Sequence, residues 1–146
     1  MIGKLVIIQL DQLIIIFLTV PQGSVLGPTL FRIFINDLDV ALEATGAMVK
    51  KFADDTQCYM VVETEEDRIR FQNMLTNLEN WSSEWQMMFN MDKCHVIHAG
   101  MQNKHYGYRW GGGELEVTDA EKYVGVMITA NLKPSVQCAK VAKKAN

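Results

Sequence analysis

Asp54 and Asp55 are neighbouring carboxylates inside the segment KFADDTQCY, Lys51 to Tyr59. Two like charges side by side raise each other's pKa and are costly to bury, and a divalent cation removes that cost. Mg²⁺ prefers one or two carboxylates together with substrate phosphate oxygens. Two such ions about 3.5–4 Å apart activate a hydroxyl and stabilise the leaving oxygen of a phosphoryl transfer. The same dipeptide is also ordinary turn chemistry, since aspartate bonds its own backbone. The flanks favour the first reading. Phe52 and Ala53 are apolar, and Cys58, Met60 and Val62 alternate afterwards, so buried strands lead to an acidic tip.

Such a tip is positioned best by paired strands, which hold geometry more tightly than a free loop. The pattern predicts a strand from Ala47 to Phe52, a turn at Ala53-Asp54-Asp55 and a return strand from Thr56 to Val62. Upstream, Leu5 to Leu10 and Ile14 to Val20 are rich in β-branched residues and read as two buried strands. Gln9, Asp11 and Gln12 interrupt this apolar stretch. A membrane-spanning helix needs ~20 mainly apolar residues, and no small-residue cleavage site follows, as a signal peptide requires.

Pro21, Gln22 and Gly23 break the second strand, and Pro28 opens a helix that runs to about Glu43 and stops at Gly46. TEED, Thr64 to Asp67, predicts a capping box. The helix behind it carries Phe71, Met74, Leu75, Leu78, Trp81 and Trp85 on one stripe, with Trp81, Trp85 and Phe89 expected in the core. A strand at Cys94 to His98, a hairpin from Tyr106 to Val117 around three glycines, and a last strand from Lys122 to Ile128 complete the order. Strands and helices mix without regular β-α-β alternation, which predicts an α+β fold: an antiparallel sheet with helices packed on one face.

The chain has 146 residues, 49% of them hydrophobic and 21% charged, which excludes wholesale disorder. A net charge of −3 does not by itself suggest a polynucleotide partner. Cys58, Cys94 and Cys138 lie far apart, which speaks against a disulfide framework or a zinc knuckle and for reduced thiols in an intracellular protein. Charge is uneven: residues 1 to 100 hold 7 basic and 13 acidic side chains, residues 101 to 146 hold 7 and 4. Lys133, Lys140, Lys143 and Lys144 close the chain without an acid, as a phosphate-facing patch or a solvated tail.

Four ordered segments resemble the palm of a reverse transcriptase of the non-LTR retrotransposon type, in the jockey-like LINE branch. VPQGSVLGPTLFRIFINDL (Val20 to Leu38) resembles motif B, and FADD (Phe52 to Asp55) the F/Y-A-D-D motif. WSSEWQMMFNMDKCHVIHAG (Trp81 to Gly100) resembles the stretch that carries motif D. EKYVGVMI (Glu121 to Ile128) resembles the K-x-L-G-V strand beyond it.

The resemblance implies RNA-templated DNA synthesis with Mg²⁺, an RNA template, a DNA primer and a deoxynucleotide, no membrane, and a nuclear or cytoplasmic place of work. Asp54 and Asp55 would hold the metals. Phe52 would sit near the primer end, and Gln22 and Gly23 would approach template and incoming nucleotide. Lys93 would stand near the triphosphate; read without the family, it is an exposed loop cation. The expected division is an apolar non-matching segment at 1–19, a partial palm at 20–130, and the start of the thumb at 131–146. The fold expected is thus a partial palm with the motif A strand and the fingers missing. Asp11 follows an apolar run as a motif A aspartate would, but the residues after it do not fit. On this reading the chain is a truncated, catalytically inert domain. The alternatives are a remnant that only binds nucleic acid or protein, and one whose open sheet edge prevents stable folding.

Overall fold

The computed structural model describes residues 4–10, 13–15, 25, 29, 33, 35–36, 38, 42, 45–52 and 55–145. Its centre is a five-stranded sheet in the order β3-β4-β1-β6-β9. These strands are β1 (Leu5–Leu10), β3 (Met48–Phe52), β4 (Asp55–Val61), β6 (His95–Ala99) and β9 (Glu116–Val117). Every pairing in it is antiparallel except β6 with β9. The predicted bounds of β1 match the observed ones. Its place in the middle explains its composition, because a strand buried on both faces reads as an apolar run rather than an alternation.

That position bears on the alternative of an open sheet edge. The edge of β4 is not open: β1 covers it from Leu5 opposite Val61 to Leu10 opposite Thr56. The free backbone groups that threatened the fold are spent in this ladder.

The core lies between one face of the sheet and the helix α1 (Glu65–Glu84). Val6, Ile8 and Leu10 of β1 and Cys58 and Met60 of β4 meet Phe71, Met74, Leu75 and Leu78. The expected capping box forms: Thr64 Oγ1 accepts from Asp67 N–H at 3.2 Å, and Asp67 Oδ2 accepts from Thr64 N–H at 3.0 Å. Trp81 is buried as predicted, whereas Trp85 is 39% exposed. It occupies the C-cap of α1.

Three further differences have local causes. β2 (Leu13–Ile15) is a short strand paired with β5 (Met87–Phe89), and the rest of the expected second strand, 16–20, lies outside the described residues. In the expected helix from Pro28 to Glu43, residues 29, 33, 38 and 42 are helical, but Ile35 and Asn36 form a turn. The predicted last strand is a hairpin, β10 (Ala120–Tyr123) with β11 (Val126–Thr129). Val124 and Gly125 form its two-residue loop with φ of 46° and 85°. Two positive φ values match the twist of a tight hairpin, but a β-branched residue seldom adopts one, so Val124 hid the turn.

The Gly-rich hairpin is shorter than expected. β7 (Arg109–Trp110) pairs with β8 (Gly113–Glu114) around Gly111 and Gly112, both at positive φ. A second helix, α2 (Ser135–Ala145), covers the basic tail. Among the described residues no helix is long and apolar enough to cross a membrane.

Candidate functional site

β3 and β4 form the predicted hairpin, with Phe52 directly opposite Asp55. Asp55 is therefore the first residue of the return strand and not part of the turn. Strand residues are better fixed than turn residues, so one carboxylate is anchored by the ladder itself. Asp54 lies outside the described residues, as do Gln22, Gly23 and Asp11.

Cross-strand partners project to the same side of a sheet. Asp55, Phe52, Gln57 and Tyr59 thus share the face opposite α1. Phe52 is 59% exposed, so a large apolar ring stands in solvent beside the acid. Cys58, on the other face, is fully buried, and burial pushes its thiol up to about 12. A thiol so held is protonated and plays no part in nucleophilic chemistry.

Lys93 ends a short 3₁₀ turn (Met91–Lys93) that leads into β6. β6 starts at His95 opposite Gln9, and Gln9 is also opposite Gln57. Lys93, just before β6, and Asp55, at the start of β4, therefore lie at the same end of the sheet, on either side of the C-terminal end of β1.

The hairpin β10–β11 reaches this end as well. Gln9 Nε2 donates to the Lys122 carbonyl at 3.3 Å. His95 Nδ1 lies 3.3 Å from Glu121 Oε2. Burial holds the Tyr123 phenol above its ordinary range, and the Asp55 carboxylate adds to the shift. Neither Gln9 nor Tyr123 was a candidate on sequence grounds. The available signal was a lone amide within the apolar run of β1.

Among the described residues no three His, Cys, Asp or Glu side chains converge on a possible metal position. Asp55 is a hard oxygen donor, and the two acids adjoining this region in sequence, Asp54 and Asp11, are of the same kind. That chemistry fits Mg²⁺ or Mn²⁺ and not a soft metal.

The family model "Reverse transcriptase (RNA-dependent DNA polymerase)" matches residues 5–128, starting at β1 and thus ahead of Val20. The chain is 32% identical over 123 residues to "RNA-directed DNA polymerase from mobile element jockey" of Drosophila funebris, covering 77% of this chain and 13% of that protein. It is 30% identical over 124 residues to the protein of the same description from Drosophila melanogaster, again with 77% and 13% covered. The chain thus spans about 13% of the length of the curated relatives it matches. No solved structure matches. With most of its length matched, from the central strand to the last hairpin, the chain belongs to the reverse transcriptase family, in its jockey-like non-LTR branch.

Proposed function

We propose that this chain carries the metal-holding part of a polymerase palm, where a primer 3′-hydroxyl attacks a deoxynucleoside triphosphate on an RNA template. The observation that carries the reading is the pairing of β1 with β4, which ends with Leu10 opposite Thr56. The next residue after Leu10 is Asp11, and the residue before Thr56 is Asp55. Asp11 lies outside the described residues, and sequence alone puts it next to the end of β1; an acid near Asp55 can share a cation that neither could hold alone.

Asp55 and Asp54 are the proposed metal ligands. When bound, Mg²⁺ supplies charge neutralisation and an activated hydroxyl. The chain's own residues orient the substrates. Phe52 offers an exposed apolar face beside Asp55 to the primer end, and Lys93 a positive charge to the triphosphate. Gln22 and Gly23 remain assigned to template and nucleotide, since close backbone approach favours a residue without Cβ. The proposed division keeps a partial palm at 20–130 and the start of the thumb, with α2, at 131–146.

The test is Mn²⁺ titration followed by thermal melting and by primer extension on an RNA template. A metal-dependent rise in melting temperature that Asp55→Ala abolishes supports the reading. A rise that survives Asp55→Ala and Asp54→Ala overturns it.

A second reading is binding without catalysis. It is favoured by α2, where Lys140, Lys143 and Lys144 are exposed and no acid lies between 131 and 146. It predicts RNA affinity that falls steeply with salt and is indifferent to Asp55→Ala.

A further inference from the structure

Pairing places Gln57, Gln9 and His95 in one row across β4, β1 and β6. Gln9 is 3% exposed and Gln57 8%. Buried amides in central strands cost free energy unless their polar atoms are paired. Gln9 Oε1 and Gln57 Nε2 have no hydrogen-bond partner among the described residues. An apolar side chain would pack more favourably here, so stability does not explain Gln9. Its bond to the Lys122 carbonyl does.

Lys122 directly precedes Tyr123 and the strained loop Val124-Gly125. A β-branched residue persists at positive φ only where the surroundings over-determine it. The base of the hairpin is closed by Ala130 N–H donating to Asp119 O at 2.8 Å, and it is tied to the sheet by Gly100 N–H donating to Ala130 O at 3.0 Å. Nearer the loop, the ties are Gln9 to Lys122 and His95 to Glu121. Of these, only Gln9 lies in the strand adjoining Asp55, on the same face.

We propose that Gln9 is a positioning residue: through the Lys122 carbonyl it latches the β10–β11 hairpin onto the sheet face that also carries Asp55. The inference rests on the reading of Asp55 as a metal ligand, and the experiment separates the two.

Gln9→Met keeps the length of the side chain and removes its donor. Gln9→Asn keeps the donor but cannot span 3.3 Å from one methylene further back. Amide hydrogen exchange and Mn²⁺-induced NMR broadening are read on the whole chain. In the folded variants, protection at 120–129 falls roughly ten-fold or more while β1, β4 and β6 keep theirs, as for a local opening. Mn²⁺ still broadens Thr56, but the broadening at Tyr123 and Val124 is lost. Unchanged hairpin protection and broadening overturn the latch. So does an equal loss of protection throughout, which marks a merely structural glutamine. Should one variant fail to fold, the other decides. If Mn²⁺ leaves Thr56 sharp in the wild type, the metal reading fails, and hydrogen exchange alone decides the latch.

Discussion

Leu10 lies directly opposite Thr56, so the first strand of the chain ends beside the strand that begins with Asp55. This pairing puts β4, the return strand of the acidic hairpin, inside the sheet, with β3 at its edge. A carboxylate at the start of a buried strand has fewer rotamers and less solvent than one on a free turn, which strengthens whatever charge it meets.

The first prediction concerns that carboxylate. Asp55→Asn preserves shape and removes charge. In the wild type, Mn²⁺ at one hundred times its dissociation constant raises stability by about 2.7 kcal/mol. In Asp55→Asn the increment falls below about half of that. Paired urea melts with and without Mn²⁺ measure it.

Val124 supplies the second. Its φ of 46° is unfavourable for a β-branched side chain, and the residue is 44% exposed, so only part of its packing is lost on replacement. Val124→Asn, which tolerates this conformation, stabilises the chain by about 1 kcal/mol. Calorimetry should show a rise of about 2–4 °C. A fall in melting temperature would show that the valine is held by contacts stronger than its strain.

Asp67 caps α1, and its carboxylate is kept well below the usual range by Thr64 N–H, then by Arg70 and Glu63 N–H. A depressed folded pKa means that the stabilisation is present above about pH 4, the unfolded value, and is lost as pH falls further towards the folded one. Asp67→Asn removes this acid-limb dependence. Thr64→Ala removes the other half of the box and costs about 1 kcal/mol. Stability measured from pH 5 downwards separates the two effects.

His98 governs a higher window. Burial lowers its pKa, and His105 lowers it further. Its neutral form is favoured in the folded chain, so its contribution is complete above about pH 6.5, the unfolded value, and declines as pH falls below it. Its Nδ1 lies 3.1 Å from Asn103 Oδ1. His98→Gln flattens the stability profile between pH 7 and 5, which a pH series of urea melts would reveal.

The core gives the last. Leu75 of α1 is fully buried among sheet and helix residues. Leu75→Ala costs about 2–5 kcal/mol through lost burial and the cavity left behind. Circular dichroism melts should show it; a cost under about 1 kcal/mol would mean that the helix does not pack on the sheet as described.

The local pieces were legible in the sequence because they are written in local terms. The bounds of β1 follow from its β-branched run, α1 from its capping box and apolar stripe, and the β3–β4 hairpin from alternation around an acidic pair. The motif order alone pointed to the family. Pairing between distant segments has no such local signature, and so tertiary structure alone decided it. It put β1 between β4 and β6, which closed an edge that the sequence left open. It moved Asp55 from turn to strand, and it folded the last expected strand into a hairpin at Val124, where the residue type argues against a turn. It also joined Gln9 to Lys122 across 113 positions. The physical reason is the same in each case: local propensity is worth tenths of a kcal/mol per residue, whereas strand pairing and burial between remote segments are worth several together and override it.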